Sequence, residues 1–214
     1  MLRPAVAEAA ARAGAPAIGL VDVGSAGLNL AVDRVGITYD NGQFLGDPAS
    51  ATRVSCSVVG DRSLPTRPMP EVVVRVGVAR DPGDVADAEI ALAGTPPPRL
   101  LRGRPLELLP DALALVPAPA LPVVTTTWAV SRIPPGRRHR FVGLLAEAGA
   151  ERTVVWVSVE GVGVAPTIPT LGDRPASGHS IIGLAVFDGS ARPPEALGRC
   201  WSRGRWMSWL APPG

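Results

Sequence analysis

The sequence predicts an α/β fold: a three-layer α/β/α sandwich on a mostly parallel, Rossmann-like sheet. Three observations predict it. Short apolar runs rich in β-branched residues recur at Ala17–Val23, Val72–Val78, Val123–Thr127 and Thr153–Val159, a pattern that suits strands buried on both faces. Segments of helical pattern alternate with these runs. The first run passes straight into a small-residue turn, Gly24-Ser25-Ala26-Gly27, as at the opening of a βαβ unit. With 214 residues, 46% hydrophobic and 19% charged, the chain suits one domain, residues 1–214, with a sizeable core.

Taken in order, Arg3–Ala13 is alanine-rich and helical in propensity, and Gly14-Ala15-Pro16 ends it. Ala17–Val23 is expected to be the central strand, with a helical segment opening at Leu28–Leu30. Residues 38–67 differ in character. Asn41-Gly42 and Asp47-Pro48 are turn signals, and Thr52–Val59 alternates, so a β-hairpin-like excursion outside the parallel core is expected. After Val72–Val78, Arg99–Arg102 reads as a short strand. Pro110 fits the first turn of a helix through Val116. Pro134-Pro135 introduces a helix from about Gly136 to Ala148, with Phe141, Leu144, Leu145 and Ala148 on one face and Arg137, Arg138, Arg140 and Glu147 on the other. Ser180–Phe187 and Arg205–Leu210 are the last two strands. An antiparallel edge strand is expected there, unless Pro194–Cys200 supplies a short crossover helix.

Composition excludes several functions. All 21 basic residues are arginine, so no Schiff-base, P-loop or kinase-type lysine exists. The net charge is +2 with both signs interspersed. The one dense basic run, Arg137, Arg138 and Arg140, reads as an exposed helix face, and no nucleic-acid partner is expected. Cys56 and Cys200 lie far apart, and His139 and His179 lack ligand neighbours, so no metal is expected. The absence of a nucleophile-elbow motif sets hydrolases aside. Glu8 and Arg12 interrupt the apolar N-terminus in a way wrong for a signal peptide. Prolines 117, 119 and 122 break the charge-free stretch 112–130, which otherwise raises a transmembrane question. No membrane partner and a cytoplasmic location are expected.

The glycine turn carries the chemistry. In open α/β sheets, ligands bind outside the carboxyl ends of the strands where strand order reverses. Gly24 and Gly27 would let the backbone approach a ligand, and the helix start beyond them would offer free N–H groups to a carboxylate or phosphate. Asp22 could orient the loop or touch the ligand. A tight connection without any ligand accounts for the same residues.

The stretch Val21-Asp22-Val23-Gly24-Ser25-Ala26-Gly27-Leu28-Asn29-Leu30, with Asp33-Arg34, resembles the opening of an uncharacterised, largely actinobacterial family, domain of unknown function 2332. Further matches follow in order: Gly46-Asp47-Pro48; Arg75-Val76-Gly77 with Pro82 and Asp84-Val85; Leu108-Leu109-Pro110; Trp128 to Pro135; Trp156 to Gly161; and Gly204-Arg205-Trp206 with Trp209-Leu210. The family is similar to class I S-adenosylmethionine-dependent methyltransferases, which implies that fold and that cofactor. On this resemblance Asp22, Gly24, Ser25, Ala26, Gly27, Asn29, Thr127 and Trp128 would surround the cofactor, with Arg132 and Glu160 towards a substrate.

The sequence also departs from the pattern. The glycine turn is one residue shorter. Ala79 stands where an acid holds the ribose hydroxyls, with Asp81 two residues on. Arg104 stands where an acid meets the adenine amine. Thr126 and Arg203 replace histidines. The family's N-terminal helical region is absent, as is a stretch near Ala88. A carboxylate on two ribose hydroxyls makes hydrogen bonds worth about 1.5–3 kcal/mol each, and affinity changes about tenfold per 1.4 kcal/mol.

Other residues keep two readings. Trp128 is a wall for the sulfonium or core. Glu160 is a general base or substrate contact, or a helix-cap carboxylate. Trp206 and Trp209 face opposite sides of the last strand. Two functions follow as expectations: a methyltransferase-like protein binding S-adenosylmethionine, or a non-catalytic remnant acting as an interaction or scaffold domain. A nucleotide-binding oxidoreductase is a weaker third, because the turn is not Gly-x-Gly-x-x-Gly. A small-molecule ligand and a homodimer are the expected partners, the dimer through Arg3–Ala13 or residues 38–67.

Overall fold

The structure, a computed structural model, describes residues 1–24, 27–80, 85–201 and 204–212. Eleven strands are present among them: β1 Ala17–Val23, β2 Gly36–Tyr39, β3 Phe44–Leu45, β4 Arg53–Val58, β5 Glu71–Ala79, β6 Arg99–Arg102, β7 Leu121–Thr127, β8 Val154–Gly161, β9 Ser180–Phe187, β10 Glu195–Trp201 and β11 Trp206–Trp209. The α-helices are α1 Leu2–Arg12, α2 Val85–Ala91, α3 Pro105–Ala114 and α4 Arg138–Gly149. The strands form one open sheet in the order β3-β2-β4-β11-β10-β9-β8-β7-β1-β5-β6.

The half that matters for the site is β6-β5-β1-β7-β8, whose members all run parallel. The chain steps outward from β1 to β5 and β6, then returns to β7 and β8 on β1's other side. The order therefore reverses between β1 and β7. Side chains alternate across β1. Ile18 and Leu20 join one core with Ala5, Val6 and Ala9 of α1, while Val21 and Val23 join a second with Leu109 of α3 and Phe141 of α4. Burial on both faces is why β1 carries no charge before Asp22. Alanines bring α1 close to the sheet, and eight of its eleven residues are buried.

Several expectations are corrected. No α-helix follows β1: a single 3-10 turn, Leu28–Ala31, leads to β2. So short a stretch cannot repay helix nucleation. Residues 38–67 do hold a hairpin, β2–β3, turning at Asn41-Gly42 with Gly42 at φ +83°. β4, however, pairs parallel with both β2 and β11, so the excursion extends the main sheet. Pro194–Cys200 supplies a strand and not a helix. Gly198 packs so tightly on β11 that a Cβ would lie 2.3 Å from the Ser208 carbonyl oxygen, and pairing with β9 and β11 overrides local propensity. The antiparallel strands β9–β11 are consequently interior, and the edges are β3 and β6. Finally, α3 begins at Pro105, not Pro110. Arg104 is extended, as a residue before proline prefers, and Pro105 occupies the first helical position. Among the described residues no helix is long and apolar enough to cross a membrane.

Candidate functional site

Strand β1 leaves the sheet at Gly24. The Gly24 N–H donates to the Val78 carbonyl of β5 at 2.7 Å. Its φ is +105°, and a Cβ there would lie 2.4 Å from the Ala129 Cβ. Conformation and close approach both require glycine. Across the reversal point, β7 ends at Thr127, and Trp128 turns the chain with φ +52°. A 3-10 turn over Val130–Arg132 follows, and the Arg132 guanidinium donates back to the Gly24 carbonyl at 3.2 Å. The two strand ends are thus tied together.

Asp22 is fully buried. Its carboxylate accepts from the Thr125 hydroxyl at 2.8 Å and from the Asn29 amide at 3.0 Å, and that amide also donates to the Thr127 hydroxyl at 3.0 Å. These bonds fix the turn after β1 onto β7. Gly27 precedes the Leu28–Ala31 turn and accepts the Leu30 N–H at 2.9 Å. Ser25 and Ala26, also placed at the cofactor by the resemblance, lie outside the described residues, as do Asp81 and Arg203.

Glu160, the penultimate residue of β8, is only 1% exposed. Its carboxylate accepts the N–H groups of Ala129 and Val130 at 2.9 and 3.0 Å and that of Ser131 at 3.4 Å. It caps the turn after β7. Burial pushes its pKa above the ordinary value, and the N–H groups with the Thr126 hydroxyl offset only part of that. The Trp128 indole N–H donates to the Ser180 hydroxyl at 2.8 Å, and its ring packs on the α1-side core. Asp33 and Arg75, which lie in two separate motifs, meet as a buried ion pair at 2.6 Å.

A cleft with a cavity volume of about 180 Å³ opens at Gly24 along the carboxyl ends of the parallel strands. Arg80 enters it directly after β5, Arg104 after β6, and Arg132 and Arg137 after β7. Pro105, Leu106, Ile133 and Pro134 give it an apolar wall. Among the described residues its one carboxylate, Glu107, pairs with Arg104 at 3.3 Å. The first turn of α3 lines the cleft, and no side chain caps that helix.

Of the sequence-predicted residues, Gly24 and Arg132 line this cleft. Asp22, Asn29 and Thr127 form the buried network beside it, and Trp128 and Glu160 support the turn after β7. Sequence reasoning missed Arg80 and Arg137 and took Arg104 only as a departure. The available signal was an arginine at the end of each of two neighbouring strands, Ala79-Arg80 and Gly103-Arg104. No group of three or more potential metal ligands occurs among the described residues.

S-adenosylmethionine, the cofactor that the resemblance implies, carries a sulfonium and an ammonium against one carboxylate and is cationic. The four guanidinium groups and one paired carboxylate among the described lining residues repel such a ligand. The closing residue of β5, Ala79, has no side-chain acceptor for ribose hydroxyls. The described lining residues therefore do not fit that cofactor.

The family model described as uncharacterized protein conserved in bacteria (DUF2332) matches residues 1–92 and 86–209. The two matched ranges overlap at residues 86–92. No curated protein and no solved structure matches the chain.

Proposed function

The chain belongs to this uncharacterised bacterial family, and from that premise we propose that it is a methyltransferase-like α/β/α domain that binds a small molecule in the cleft at Gly24 without itself transferring methyl groups. The strand order β6-β5-β1-β7-β8 supports the fold assignment, since it is the 3-2-1-4-5 order of doubly wound nucleotide-binding sheets. The observation that carries the non-catalytic reading is the charge of the cleft. Arg104 stands where the methyltransferase pattern has an acid, and Arg80 directly follows Ala79, which stands where that pattern has the ribose acid. Asp22 and Asn29 are in addition bonded to Thr125 and Thr127 inside the protein.

A second reading, S-adenosylmethionine-dependent methyl transfer to an unidentified substrate, is favoured by the position of Gly24 at the reversal of strand order. Methyl transfer needs chiefly positioning, so sparse acid–base machinery does not oppose it. Calorimetric titration with S-adenosylmethionine, S-adenosylhomocysteine and NAD separates the readings. The expected outcome is no saturable binding of the two adenosyl ligands up to about 1 mM, equivalent to about 4 kcal/mol. Micromolar binding of either restores the enzyme, and selective binding of NAD points to an oxidoreductase.

A further inference from the structure

We propose that the cleft at Gly24 takes a phosphorylated nucleoside, its phosphate held by Arg80, Arg104, Arg132 and Arg137 and its base laid on the wall of Leu106, Ile133 and Pro134. This rests on the reading of the cleft as the ligand site. Basic residues make up 21 of the 214 residues but four of the eleven described residues that line the cleft. Guanidinium groups match phosphate oxygens in pairs, and they do so best where water is partly excluded. Among the described residues, neither Arg80 nor Arg137 has an ion-pair partner, so both guanidinium groups are open to a ligand anion. Arg132 is already oriented by its bond to the Gly24 carbonyl.

The position of Arg80 is informative. It follows β5, the second strand of the parallel set. In doubly wound sheets an acid near this point holds the ribose hydroxyls, whereas an arginine accommodates a phosphate on the ribose. In the uncapped first turn of α3, Pro105 has no N–H and the Glu107 and Leu108 N–H groups donate to the Arg104 carbonyl, so the Leu106 N–H alone adds to this preference for an anion. The apolar wall gives the ring a surface that inorganic phosphate does not need.

Calorimetry with adenosine 2′,5′-bisphosphate, AMP, adenosine, ribose 5-phosphate, inorganic phosphate and S-adenosylmethionine tests this on the full chain. The bisphosphate is expected to bind at least about tenfold more tightly than adenosine, with affinity falling as salt rises. Arg80→Ala and Arg137→Ala are each expected to weaken bisphosphate binding by about tenfold with an unchanged melting temperature, since both side chains are exposed. Equal binding of adenosine and the bisphosphate overturns the phosphate site but leaves the cleft as a ligand site. Ribose 5-phosphate binding as tightly as AMP overturns the nucleoside. S-adenosylmethionine binding more tightly than any phosphate ester overturns the proposal and restores the methyltransferase. Binding by none of the probes overturns both the proposal and the cleft reading.

Discussion

At Glu160 one carboxylate serves three backbone N–H groups, and burial decides its titration. Its pKa lies above 4.5 in the folded protein, with desolvation the leading cause. The folded state then holds a proton over a pH range in which the unfolded chain has lost it. Stability from this group consequently falls as pH rises from about 4.5 through the higher folded value. Glu160→Gln should remove that decline. Urea denaturation at a series of pH values checks it: the difference in stability between wild type and variant must change across this window. A constant difference would mean that Glu160 titrates alike folded and unfolded. The same residue shows the limit of sequence reasoning at this scale. A strand-end glutamate was legible and a cap was one of its two readings, but which N–H groups it serves was not. The cap depends on where residues 129–131 fall in space, about thirty positions away along the chain.

Helix α1 is held by an ion-pair network as well as by its alanines. The Glu8 side chain is 3% exposed and meets Arg12 at 2.8 Å and Arg67 at 2.7 Å, while Arg12 also meets Glu195 of β10 at 2.8 Å. Burial pushes the Glu8 pKa up, but the two guanidinium groups outweigh it and hold the carboxyl below its usual value. Its contribution is present above the unfolded pKa and is lost as pH falls through the folded one. Glu8→Gln is expected to cost about 1–3 kcal/mol near neutral pH and to remove part of the acid sensitivity, as read by thermal melting at neutral and acid pH. Elements of this kind were partly legible. β1 was placed from Ala17 to Val23 because a run without charge has few other uses, and the structure gives the same bounds. β10 was not placed, because Glu195-Ala196-Leu197 favours helix locally and only pairing with two neighbours makes it a strand. The cleft arginines stayed hidden for a related reason. Their spacing along the chain has no period, and only the parallel order of β1, β5, β6 and β7 brings them together.

For the molecule as a whole, the burial of α1 changes where self-association would occur. That helix is covered by its own chain. The excursion instead presents Phe44, Val54 and Val59 to solvent, and Trp206 of the adjoining β11 is 48% exposed. Apolar surface of this kind marks interaction sites, and a two-fold dimer is the commonest closed arrangement. Static light scattering at micromolar concentration is expected to report twice the 22.1 kDa chain mass, and Phe44→Asp combined with Val54→Asp is expected to halve it. A wild-type protein of single-chain mass rules this assembly out.

The docking of β4 onto β11 joins residues 53–58 to residues 206–209. On the ribosome, the first of these segments emerges long before the second. At roughly 5–20 residues per second, the wait is on the order of ten to thirty seconds. Throughout that interval the nascent chain carries a β edge whose partner has not been synthesised. Such an edge recruits any other unpaired strand nearby, so the crowding of neighbouring ribosomes on one message bears directly on how much of this protein reaches its native state.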